Sequence, residues 1–155
     1  MTPPMMRTLV IGAAVLTTGC ATLPPAPPPP HPAVAVNAPF GKTWDAVIDV
    51  FAARNIAIKT LDRSSGLIVA EPQTVAASDA RDLADCGTAL GIPLRADAAT
   101  WNILVRGDST HATVRATVRF IQSGTVVHDC SSRGVWETAL ESSVKDAAEG
   151  KAGSR

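Results

Sequence analysis

A chain of 155 residues with 46% hydrophobic residues can build one small core and little more. Its 14 basic residues balance its 14 acidic ones, which leaves no basis for bulk electrostatic binding of nucleic acid. Three Trp, three Phe and no Tyr are too few for a platform that stacks single-stranded bases.

Residues 1–19 read as a targeting segment rather than as structure. Arg7 supplies the positive start. Residues 9–16 form an apolar run shorter than the roughly 20 residues a membrane-spanning helix needs. The run ends in V-L-T-T-G-C-A, where small residues precede Cys20, the pattern of a bacterial lipoprotein cleavage site. Leu16 stands one place away from where such signals most often carry leucine, and an ordinary secretory signal is the competing reading. Cleavage would make Cys20 the lipidated first residue; two or three acyl chains anchor stably, and a lipoprotein cysteine carries three. Lipoproteins retained at the inner membrane often carry Asp after the cysteine, so by resemblance Ala21 favours the outer membrane. Removal of the signal takes away one positive charge, Arg7, and no acidic residue, so the mature chain stays near neutral.

Residues 20–37 are a lipid-anchored linker rich in proline. Such a stretch lacks amide donors and prefers extended polyproline II, a spacer that holds a domain off the bilayer. A ligand for a proline-binding partner is the minor alternative. His31 within the tract reads as a solvated linker residue.

The folded domain is expected over 38–149, with a frayed tail at 150–155. A first helix is expected over about 42–54, where Phe40, Trp44, Val47, Ile48 and Phe51 recur at helical spacing. A hairpin follows, with strands over 56–62 and 67–71 around Arg63-Ser64-Ser65-Gly66, the glycine sitting where positive φ is wanted. Residues 73–100 show no strong period and read as a long crossing loop pinned at Cys86, with a short helix near 76–84. Strands are expected over 101–106, 111–122 and 125–129. The second of these alternates Val114, Ala116, Val118 and Phe120 with Thr113, Arg115, Thr117 and Arg119. Ser131 and Ser132 are placed to cap a closing helix over about 135–149. Its buried stripe is expected at Trp136, Ala139, Leu140, Ser143, Val144 and Ala147, with Glu137 and Glu141 on the flanking surface. The order predicts an α+β domain: an antiparallel sheet with an N-terminal and a C-terminal helix on one face.

T-W-D-A-V-I-D-V-F, then I-A-I-K-T-L-D-R-S-S-G-L-I-V-A, and later C-S-S-R-G-V-W-E resemble the helix, hairpin and closing helix of a helix-grip domain. That domain occurs in the C-subunit lipoprotein of the outer-membrane β-barrel assembly machinery and in small outer-membrane lipoproteins of similar build. The resemblance covers residues 40–149 and implies the fold and an outer-membrane address facing the periplasm. It carries membership of the assembly machinery only weakly, since that subunit has two such domains and a long docking segment.

Three cysteines in an exported chain suggest one pair and one with another role. With Cys20 taking the lipid, Cys86 and Cys130 are free to pair in an oxidising periplasm. A metal site of Cys86, His128 and Cys130 is the alternative, but it lacks an evident fourth ligand and usual zinc spacing. No catalytic motif stands out, and no metal or cofactor is expected. Asp79, Asp82 and Asp85 lack the interleaved ligands of a calcium loop. Arg106, Arg115 and Arg119 fall on the polar sheet face as a candidate interaction surface, against the plainer reading of an ordinary solvated face. The expected function is a non-enzymatic envelope assembly or protein-interaction module, anchored to the membrane by its N-terminal lipid and meeting outer-membrane proteins or other envelope components. The alternative is a periplasmic domain that binds a small ligand or lipid in the groove between sheet and C-terminal helix.

Overall fold

The computed structural model describes residues 31–151. The expected signal, Cys20 and most of the proline tract lie outside them. No helix among the described residues is long and apolar enough to cross a membrane.

The elements in chain order are β1 (Val34–Val36), α1 (Phe40–Ala53), β2 (Ile58–Asp62), β3 (Leu67–Ala70), β4 (Gln73–Thr74), α2 (Ala80–Leu83), β5 (Ala84–Asp85), β6 (Thr88–Ala89), β7 (Ile92–Pro93), β8 (Ala98–Gly107), β9 (Ala112–Gln122), β10 (His128–Ser132) and α3 (Val135–Glu149). The main sheet runs β2-β3-β8-β9-β10-β5, with β4 beside the start of β8 and β1 beside the start of β9. Every pairing is antiparallel. Helices α1 and α3 lie together on one face. The chain is therefore an α+β domain with terminal helices on an open antiparallel sheet, as the order of its predicted elements implies.

Strict alternation builds the central pair. Trp101, Ile103 and Val105 of β8 and Val114, Ala116, Val118 and Phe120 of β9 are buried under the helices. The residues between them face the other side, which no helix covers. On α1, Trp44, Val47 and Phe51 meet this inner face, with Ile68 and Ala70 of β3 joining the same core. The β2–β3 turn closes as the sequence predicts. Gly66 sits at φ +68, and a Cβ there would run into the Val105 carbonyl oxygen. The Asp62 carboxylate collects the amides and hydroxyls of Ser64 and Ser65. Those hydroxyls first, then the Ser65 amide, lower its pKa to about 2.

Five expectations need correction. The sheet begins earlier than residue 38, because Val34–Val36 pairs with Val114 to Ala112. His31 is not a free linker residue: its Nε2 lies 2.9 Å from Oε2 of Glu141. The last strand lies three residues further on than expected, since Cys130 pairs with Phe120 and Ser131–Ser132 pair with β5. Ser131 and Ser132 are therefore strand residues and cap nothing by side chain; α3 starts after Gly134 in a left-handed conformation, whose amide is taken by Ser132 Oγ. Finally, Glu137 and Glu141 are buried, at 4% and 1% exposure. The buried stripe of α3 is Glu137, Leu140, Glu141, Val144 and Ala148, one position round from the stripe expected, while Ala139 is exposed.

The stretch 73–98 is a long excursion tied down at several points. It holds a single helical turn and four two-residue strands. Strand β5 runs alongside β10 towards the end of the sheet where β9 stops, and the chain comes back into β8 at that same end. There Asp97 donates its amide to Ile121, and its carboxylate accepts from Ser123. This end is called the loop end below; the Asp108–His111 turn marks the opposite one.

Candidate functional site

Cys86 and Cys130 form a disulfide, as the cysteine count predicts. It crosslinks residues 44 apart in sequence, which by chain entropy contributes about 4 kcal/mol. Its place explains its use: Cys130 is on β10 and Cys86 directly follows the two-residue edge strand β5, so the bond fixes the weakest edge of the sheet. With both sulfurs committed, the grouping with His128 has no thiolate to offer a metal. Cys20, the predicted lipidation site, lies outside the described residues.

The register of β8 with β9 places the three arginines on the uncovered sheet face. Arg106 is opposite Thr113, Leu104 opposite Arg115, and Thr100 opposite Arg119. Arg106 and Arg115 are therefore diagonal neighbours on adjacent strands, within reach of one bound group. Arg119 stands four residues along β9 from Arg115, about 13 Å away. It is also occupied: its guanidinium pairs with Asp129 of β10 at 2.7 Å. That pair is mostly in water and stabilises the fold little, but it cancels the charge of Arg119. Among the described residues neither Arg106 nor Arg115 has a carboxylate partner, and Arg115 Nε is a buried donor with no acceptor. The expected three-residue patch thus reduces to two free cations. Arg106 extends towards an open hollow of about 380 Å³ that it shares with His111, Asn37 and Thr113.

On the inner face the groove between α3 and the sheet is largely filled. Strand β9 is paired with β8 along its whole length. On its other side it has β1 only at 112–114 and β10 only at 120–122. In the gap between, α3 supplies acceptors. Glu141 Oε1 takes the Ala116 amide at 2.8 Å, and Glu137 Oε1 takes the Val118 amide at 3.2 Å. Glu137 Oε2 is buried without a partner among the described residues. Farther along, Trp136 stacks on Trp101 with centroids 5.4 Å apart. A cleft of about 210 Å³ remains there, lined by Arg54, Ile56, Gln73 and the two Trp. It is smaller than the roughly 300–1,000 Å³ that encloses a drug-sized ligand.

Asp85 accepts from the Gly87 amide and pairs with Arg133, and Asp79 accepts from Ser78. The two carboxylates are spent on closing their own loop. The chain matches no protein-family model and no curated protein.

Proposed function

We propose that this is a lipid-anchored envelope protein, held at the outer membrane through Cys20, whose periplasmic domain is a non-enzymatic module that presents Arg106 and Arg115 to an acidic partner. One observation carries the reading of the domain: two arginines, diagonal to each other on an uncovered sheet face, have no carboxylate of their own. The G-C-A following a short apolar run, and the proline tract after it, support the anchor. A small-ligand binder would need more room than the Trp101–Trp136 cleft offers.

The test compares R106S/R115S with R119S by crosslinking in intact cells and identifying the captured envelope proteins. The double variant is expected to lose its captured partner by about fivefold or more, and R119S to keep it. Equal capture in all three chains would refute the arginine surface. Mass spectrometry of the mature chain reads the anchor separately, through acyl chains on Cys20.

A further inference from the structure

Of the six large hydrophobic side chains exposed on the described surface, four are gathered at the loop end. Leu90 is 102% exposed and Ile92 67%, both on the hairpin of β6 and β7; Val126 and Val127, at 62% and 61%, lie on the turn between β9 and β10. No charged residue occurs from Cys86 to Pro93 or from Gln122 to Val127. Among the described residues, Leu90 is also one of two non-glycine positions with positive φ, at 50°. A leucine held in that conformation with its side chain wholly in water serves no packing purpose within this chain.

Both tips are held firmly. The hairpin leaves the sheet beside the Cys86–Cys130 disulfide, is closed by the Leu94 amide on the Gly87 carbonyl, and returns through Asp97. The Asp97 carboxylate fixes Ser123 at the root of the second tip. The acidic groups near this end are engaged: Asp85 by Gly87 and Arg133, Asp97 by Ser123, Asp129 by Arg119. Arg95, exposed at the foot of the hairpin, has no ion-pair partner among the described residues.

The chain itself approaches from this side. Strand β1 runs antiparallel to β9, from Val34 beside Val114 to Val36 beside Ala112, which is away from the loop end. His31 is fastened to Glu141, whose other oxygen holds the Ala116 amide. Residues 31–36 therefore run away from the loop end, with His31 on the loop-end side of β1. Ten residues separate Cys20 from His31, a reach of no more than about 40 Å. From the level of Ala116 to Gln122 is already about 20 Å.

We infer that the loop end seats on a bilayer surface, with Leu90, Ile92, Val126 and Val127 entering the interface and Arg95 meeting the headgroups. The inference rests on Cys20 being the lipid anchor: the tether brings the apolar tips to the membrane at high effective concentration, so a weak interfacial contact suffices. The domain would then stand on its loop end, with the sheet face bearing Arg106 and Arg115 turned sideways into the periplasm rather than against lipid.

The full-length protein, processed in cells, is reconstituted in phosphatidylethanolamine–phosphatidylglycerol vesicles containing brominated lipid. Three variants, I92W, V127W and L61W, each add one tryptophan at an exposed site to the parent chain. Leu61 is 52% exposed on β2, the edge strand farthest from β10, and serves as the control. Side chains that seat about 5–10 Å into the interface should give I92W and V127W an excess quenching about twofold or more above L61W. Equal quenching of all three, or none at I92W and V127W, overturns the inference. Blue-shifted, unquenched emission from I92W only when envelope proteins are added would assign the tips to a protein partner and likewise overturn it. The mass of the same preparation separates the two readings: an acylated chain with unquenched loop probes removes the docking and leaves the anchor, whereas an unacylated chain removes the anchor and the docking that rests on it.

Discussion

Helices α1 and α3 lie side by side on one face of one sheet, yet they bury different chemistry. Helix α1 buries Trp44, Ala46, Val47 and Phe51, with Thr43 as its only buried polar residue. Helix α3 buries two carboxylates among Leu140, Val144 and Ala148. The cause lies beneath them. Much of the sheet under the helices is continuous, with backbone groups answered by neighbouring strands, so an apolar helix face is sufficient. The stretch of β9 next to α3 is flanked by β1 and β10 only at its two ends, so amides in the middle have no strand to bond. Buried amides must find acceptors, and the helix provides them as glutamates one turn apart. A helix over a gap in a sheet acts in part as a missing strand.

The two chemistries should fail differently. Truncating the apolar helix should cost most: Phe51 is fully buried, and F51A is expected to lose about 3–5 kcal/mol in urea unfolding, as deep aromatic cavities do. Truncating the polar helix should come next. E141A leaves the Ala116 amide buried without an acceptor and His31 without its partner, a loss of about 2–3 kcal/mol. The Val118 bond is longer and the second oxygen of Glu137 is idle, so E137A should lose less, about 1 kcal/mol. E141Q keeps a carbonyl oxygen for Ala116 and should recover most of what E141A loses. If E141A and E141Q were both within about 0.5 kcal/mol of the parent, as surface substitutions are, the carboxylates would have no part in closing the sheet.

That same contrast decides what the sequence could reveal. Helix α1, the β2–β3 hairpin and strands β8 and β9 are carried by local period, and each shows up as a run of residues with one apolar face. Gly66 and the cysteine pair are visible too, because turn geometry and cysteine count are local or arithmetic. The burial of Glu137 and Glu141 is not local. A charged residue is normally assigned to water, and only the gap in β9's pairing reverses that assignment. One signal was present: Glu137 and Glu141 share a helical face with Leu140, Val144 and Ala148, a stripe as regular as the one expected. His31 was hidden for a similar reason, since its partner is 110 residues away. The arginine face was legible by alternation, but the loss of Arg119 to Asp129 depends on the register of β10, whose bounds the sequence placed three residues early. The segment 73–98 has no period because tertiary anchors shape it: a disulfide, Asp97 and two-residue pairings.

The smallest expected effect lies at the far end of α3 and is read by pH. Glu149 is a carboxylate in the last helical turn, where the dipole disfavours negative charge. It is retained because it accepts from Lys145 at 2.8 Å, from Lys151 at 2.7 Å and from the Asn37 amide at 2.9 Å, which ties α3 to the chain just before α1. Lys145 first, then Lys151 and the Asn37 amide, pull its pKa down from 4.5 to about 2. A carboxyl whose pKa is lower folded than unfolded stabilises the fold fully above its unfolded value and loses that contribution as pH falls through its folded value. Asp62 and Asp108 are also lowered to about 2, so the parent chain should weaken between about pH 4.5 and 2 for all three reasons together. Comparison with E149Q isolates one of them. The glutamine still accepts from Asn37 but holds neither lysine by charge. Its urea midpoint should fall below the parent's at neutral pH, and the gap should narrow as pH drops from about 4.5 towards 2. The absence of any gap at neutral pH would mean that Glu149 joins the helices through its hydrogen bond to Asn37 alone, and that the two lysines contribute nothing through their charge.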